Sequence, residues 1–171
     1  MVNFTRLNRQ RMQRLDKTVE LKESVRAVAR GVSRKMIWLI ITEAWCGDAA
    51  QNIPPIEKIA NLSDRIETRY ILRDENLELM DQFLTNGARS IPKLIALDGE
   101  TLEVLGTWGA RPHAAQKLYY ELKEKGAEKP AIMEQLQRWY NADRTLLLQN
   151  EFAKLLTEWD NKSESSLTSA A

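Results

Sequence analysis

MIWLIITEAWCGDAAQNIPPIEKIA, residues 36–60, is the stretch whose reading decides the fold. Met36 to Ile41 is a short apolar run rich in β-branched residues, the pattern of a strand buried on both faces. Trp45-Cys46-Gly47-Asp48 reads as a tight turn, and the residues after it place Ile53, Ile56 and Ile59 at helical spacing. A cysteine at that junction lies where free backbone N–H groups and the helix dipole favour an anion. Such a position makes a thiolate most cheaply, and Cys46 is the candidate nucleophile. Pro54 and Pro55 fall inside the helix and predict a kink.

Trp45-Cys46-Gly47, with Pro54 eight residues past the cysteine, resembles the active-site segment of the thioredoxin family. Gly87-Ala88-Arg89-Ser90-Ile91-Pro92, followed by Lys93 to Ala96 and Gly99-Glu100, resembles that family's cis-proline loop, next strand and hairpin turn. The two segments lie in the right order, and the resemblance covers residues 34–126. It implies that Pro92 is cis and faces Cys46, and that Ile91 offers its N–H and C=O to an extended substrate in strand fashion. Trp45 and Gly47 would then flank the bound segment, though Trp45 reads equally well as core packing. The pattern departs from the family at one position: Ala49 stands where the second cysteine of Cys-x-x-Cys would be. Cys46 is the only cysteine, so no intramolecular disulfide forms.

Asp48 needs no chemistry to explain it, since a carboxylate in a first helical turn gains about 0.3–1 kcal/mol from the dipole. Read functionally, it is a proton acceptor beside Cys46 that also competes with the thiolate for positive potential. His113, the one histidine, is far from Cys46 in sequence and supports no Cys–His pair. One Cys and one His fill no metal shell, so no metal and no cofactor is expected.

Working outward, Phe4 to Val32 is helical in two pieces that meet near Leu15 and Asp16. Val19, Leu21, Val25, Val28 and Ala29 make one stripe for the sheet, and everything before Asp16 is an extension that wanders or docks. No strand signal precedes residue 36. Downstream, residues 65–73 read as a second strand, and Asp74 starts a helix through Leu84 that Asn86-Gly87 ends. Residues 92–97 and 102–108 read as strands joined by a type I′ turn at Asp98-Gly99, and a helix follows from Pro112 to Glu124. The order is β-α-β-α-β-β-α, an α/β domain with a mixed sheet. With the resemblance it becomes a thioredoxin-like fold: a central mixed four-stranded sheet flanked by helices.

Two additions frame this core. Residues 1–33 are a basic N-terminal helical extension, and residues 127–160 are a C-terminal helical pair. The pair carries one stripe of Ile132, Met133, Leu136, Trp139 and Tyr140 and another of Leu148, Phe152, Leu155, Leu156 and Trp159. Stripes of this size are covered by the domain or by a partner. Residues 161–171, Ser-rich and polar, read as a disordered tail.

The 171 residues, 43% hydrophobic and 29% charged, suit one globular domain with a real core. Net charge is +1, yet residues 1–35 hold ten Lys/Arg against three Asp/Glu. That asymmetry suits a helix lying on an acidic body better than nucleic-acid binding, because basic residues there lack interleaved aromatics. One cysteine, no apolar run of membrane length and no apolar signal core point to a cytoplasmic protein without membrane contact. The expected function is a monothiol serving cell redox homeostasis: Cys46 forms mixed disulfides with a protein or a low-molecular-weight thiol, resolved by an external thiol. The alternative is a redox-inactive module that grips a peptide. Oligomeric state does not follow from the sequence.

Overall fold

The computed structural model describes residues 2–162. Helices α1 (Val2–Thr18) and α2 (Glu23–Arg30) lead into β1 (Met36–Thr42), α3 (Gly47–Ala60), β2 (Ile66–Leu72) and the short α4 (Leu77–Asp81). The hairpin β3 (Lys93–Asp98) and β4 (Val104–Gly109) follows, then α5 (His113–Glu124), α6 (Lys129–Asp143) and α7 (Leu146–Asp160). The four strands form one mixed sheet in the order β2-β1-β3-β4. β1 runs parallel to β2 and antiparallel to β3, which is antiparallel to β4. Among the described residues no strand precedes β1, so β2 is an edge of the sheet.

β1 is central because its side chains are the most apolar. Met36, Trp38 and Ile40 are fully buried on one face, whereas Ile37 and Leu39 on the other are only half-buried, so the strand is not sealed equally on both sides. Trp38 pairs across with Ala96, which pairs with Gly106. Two small residues beside a large one leave a hollow, and α7 fills it with Phe152 and Trp159. The approach is close: a Cβ on Gly106 would lie 2.2 Å from Trp159 Nε1.

Several sequence expectations need correction. The N-terminal helices break at residues 19–22 and not at Leu15–Asp16. Gln149 of α7 fixes that break, accepting from Lys22 N at 2.7 Å and donating to Glu20 O at 3.1 Å. Val19 and Leu21 therefore sit between the helices, and only Val25 and Ala29 of the proposed stripe are buried in α2. The extension before Asp16 docks: α1 packs along α3, with Leu15 buried and Asn8 Nδ2 donating to Ala44 O at 3.1 Å. No ion pair ties α1 to the body among the described residues, so packing and not charge complementarity seats it. α3 continues as one helix through Pro54 and Pro55, both buried.

The helix expected from Asp74 to Leu84 is cut to a 3-10 turn (Arg73–Glu75) and α4. Asn76 interrupts it by turning its side chain back to Leu72 O at 2.8 Å. Asn86 and Gly87, both with positive φ, form a tight turn between bridged Thr85 and Ala88 in place of a helix end. Conversely, Asp98-Gly99 is no type I′ turn. Asp98 Oδ1 accepts from Glu100 N and Thr101 N, and Leu102 carries the left-handed conformation. β4 consequently starts at Val104. The expected tail, from residue 163 on, lies outside the described residues.

Candidate functional site

Cys46 is the N-cap of α3. Its backbone is turned by Cys46 N donating to Glu43 O at 3.0 Å, and its Sγ accepts from Ala49 N at 3.4 Å. The thiol donates to Ile91 O at 3.3 Å. The Ile91–Pro92 peptide is cis, and both residues are buried. The strand-helix junction and the proline loop, 45 residues apart in sequence, thus meet at one hydrogen bond. Trp45 is half-buried, with the Arg73 guanidinium 4.9 Å above its ring. Arg73 is held by Asp74 at 2.7 Å and by Arg89 O at 3.3 Å, so the end of β2 and the proline loop both steady the indole. Gly47 lies beside Arg11 of α1.

The thiol is not the cheap thiolate its position suggests. Cys46 is 8% exposed. Burial, and then the Asp48 charge, push its pKa up to about 11 against the pull of the Ala49 and Asp48 N–H groups and of Arg111. Helix N–H groups favour the anion, but loss of water costs more. At pH 7 roughly one thiol in 10⁴ is ionised.

Asp48 is more than an exposed helix-start residue. Its side chain is 11% exposed, and Oδ2 pairs with Arg111 Nη2 at 2.6 Å while Oδ1 accepts from Tyr140 Oη at 2.9 Å. Burial raises its carboxyl pKa, with Arg111 and Tyr140 working in opposition. Burial also disfavours the Arg111 cation, but Asp48, Tyr140 and Tyr119 outweigh it. The carboxylate is therefore carried inside as half of a charge pair. Asn52 completes the cluster, donating to Asp48 O at 2.9 Å and to Tyr140 Oη at 3.0 Å. Arg111 follows two residues after the end of β4 at Gly109, whose φ of +128° and close approach to Pro92 O leave no room for a Cβ. The Tyr119 ring lies 4.3 Å from its guanidinium carbon.

The sequence reading missed Arg111, Tyr140 and Asn52. Tyr140 belongs to an apolar stripe by its spacing, yet a buried phenol needs a partner, and that is the signal it offers. Arg111 stands just past the last strand, where open sheets gather polar groups. His113 is exposed and its N–H caps onto Glu151 Oε1 at 2.7 Å, away from the thiol. Among the described residues no three His, Cys, Asp or Glu side chains gather to hold a metal ion, and no helix is long and apolar enough to cross a membrane.

A helix-capping thiol against a cis-proline loop, on a β2-β1-β3-β4 mixed sheet, defines a thioredoxin-fold protein with a single cysteine. The family model described as thioredoxin matches residues 1–129, and the chain belongs to the thioredoxin family. The match takes in α1 and ends where α6 begins. No curated protein matches. Among solved structures, a Pseudomonas aeruginosa protein of unknown function is 20% identical with a TM-score of 0.67, covering 89% of this chain and 83% of that one. An HIV epitope-scaffold is 19% identical, also at 0.67, covering 95% and 93%. At such identity both likenesses speak for the fold alone.

Proposed function

We propose that the chain is a monothiol thioredoxin-family protein that exchanges Cys46 with disulfides in the cytoplasm. The observation that carries this reading is the Cys46 Sγ–Ile91 O hydrogen bond at 3.3 Å, which sets the sulfur beside the backbone an extended substrate would pair with. In the reaction Cys46 releases its proton to solvent, and the thiolate attacks one sulfur of the substrate disulfide. The S–S bond breaks, the departing thiolate takes up a proton, and a mixed disulfide remains. Ala49 offers no resolving sulfur, so an external thiol, of a protein or of low molecular weight, displaces Cys46. Trp45 and Gly47 flank the substrate, and Ile91 and Pro92 present its pairing edge.

The depth of the thiol favours a second reading, a redox-silent peptide-binding module. Incubation with oxidised glutathione between pH 7 and 10, read by intact-mass spectrometry, separates them. Exchange predicts a glutathione adduct on Cys46 that forms about tenfold faster per pH unit and is absent from Cys46→Ser. No adduct at pH 10, with peptide binding kept in Cys46→Ser, overturns exchange in favour of the module.

A further inference from the structure

We propose that Arg111 and Tyr140 are positioning residues for Cys46: they hold the Asp48 carboxylate near the thiol as half of a buried charge pair, and the balance of that pair governs how readily the thiol releases its proton. For its biological use the inference rests on the exchange reading above, but its test reads thiol acidity and needs no exchange.

Asp48 follows Cys46 by two residues in the first turn of α3, so its charge acts at short range on the sulfur. Left alone there, a carboxylate would oppose the thiolate. Instead Oδ2 meets Arg111 at 2.6 Å and Oδ1 meets Tyr140 at 2.9 Å, both side chains arriving from other elements. Arg111 is 9% exposed, too dry for solvent to screen the pair as it would at a surface. The anchoring is redundant in a way chance packing is not. Tyr140 Oη donates to Asp48 and accepts from Asn52, which also holds Asp48 O, and Gln51 Nε2 donates to Gln137 Oε1 of α6 at 3.0 Å. Three bonds between α3 and α6 therefore pin the α3 mouth. The charges acting on Cys46 are those of Asp48 and Arg111. The other charged groups on the elements around it include Arg11 of α1 beside Gly47, Glu43 held to Asp74 N, Arg73 over Trp45, and Lys93 next to Pro92.

Seen from the sulfur, the Asp48 charge outweighs that of Arg111, so the pair as a whole holds the thiol's proton on while Arg111 offsets part of the effect. Removing one member leaves an uncompensated charge of known sign, and a charge at this range moves a thiol's midpoint by about one pH unit or more. The experiment is the pH profile of Cys46 alkylation by iodoacetamide, a neutral reagent. Asp48→Asn, keeping Arg111, should lower the midpoint and speed alkylation at pH 8 about tenfold. Arg111→Gln, keeping Asp48, should slow it, by less than the gain in Asp48→Asn. The double variant should fall between Asp48→Asn and the parent, because Asp48 weighs more on the sulfur than Arg111, and Tyr140→Phe should fall slightly below the parent. A purely structural role predicts otherwise, since a loosened site exposes the thiol and speeds every variant. Parallel acceleration of Asp48→Asn and Arg111→Gln therefore overturns the proposal. Should Arg111→Gln fail to fold, Asp48→Asn is read beside Tyr140→Phe, which loosens the same cluster but keeps both charges: an unmoved midpoint in Asp48→Asn, or one lowered equally in both, overturns the proposal. Failure of the glutathione reaction leaves this readout intact.

Discussion

α6 and α7 are neighbours in sequence, each of 15 residues with an apolar stripe, yet they do different work. α7 belongs to the core. Leu148, Phe152, Leu156 and Trp159 are buried in it, with Phe152 and Trp159 ring to ring with Trp38 and Trp108. Its polar residues fasten loops: Gln149 at the α1–α2 break, Glu151 on Trp108 Nε1 and His113 N, and Asp160 on Ser33 N and Arg34 N. α6 joins only a small separate cluster, where Ile132 and Leu136 meet Ala115 of α5, and it reaches the sheet domain through Tyr140 and Gln137. A stripe becomes core when the sheet offers a hollow of matching size, as Ala96 and Gly106 do beneath α7. Without one, the helix is held by polar side chains, and those lie against the candidate site.

The largest expected effect breaks the pair apart on the stability axis. Phe152→Ala empties the centre of a ring cluster and should cost about 3–5 kcal/mol in urea unfolding. Tyr140→Phe removes hydrogen bonds, one of them to a charged carboxylate, and little volume, so about 1.5–3 kcal/mol is expected. Equal losses would place α6 in the core on the same footing as α7.

On the α6 side the next effect is electrostatic. The native thiol keeps its proton to about pH 11, above the ordinary range of an unfolded cysteine. Between those values the folded chain binds more protons than the unfolded one, so stability falls as pH rises. The contribution is whole below about pH 8 and is lost by about pH 11, roughly 2–3 kcal/mol in all. Other groups titrate in the same window, so the quantity to measure is the difference between parent and Cys46→Ser. A difference that stays flat from pH 8 to 11 would mean the thiol is no harder to ionise folded than unfolded.

The sulfur's address was legible in the sequence, but its acidity was not. A buried strand, a turn and a helix start are local patterns, and together with Ile91-Pro92 they place Cys46. Desolvation depends on what covers the sulfur, and the pairing of Asp48 with Arg111 and Tyr140 is long-range, 92 residues for the tyrosine. The two Asx-Gly dipeptides teach the same lesson on the backbone. Asn86-Gly87 looked like a helix end and is a bridged turn, while Asp98-Gly99 looked like a type I′ turn and is a side-chain-capped loop. At Gly99 the glycine is needed for a close approach, since a Cβ would lie 2.8 Å from Lys35 Cβ. Tertiary contact chose between two readings that local chemistry allowed.

The smallest expected effect sharpens the comparison at the joint between the two helices. Arg144 and Thr145 are both left-handed, at φ of 51° and 68°, a region where a Cβ is disfavoured. Thr145 is held there: its Oγ1 accepts from Gln149 Nε2 at 3.0 Å and its carbonyl from Gln149 N at 3.1 Å. Arg144 is exposed. Arg144→Gly should therefore stabilise the fold by about 0.5–1 kcal/mol, because glycine relieves the conformation and removes no packing. Thr145→Gly relieves the same strain but forfeits the Oγ1 bond to a buried glutamine, so it should gain less or lose stability. If α6 is held in place by Tyr140 and Gln137 and not by stiffness passed on from α7, Arg144→Gly will leave the Cys46 alkylation profile where it was. A shifted profile would mean that the joint, and through it α7, takes part in setting the site.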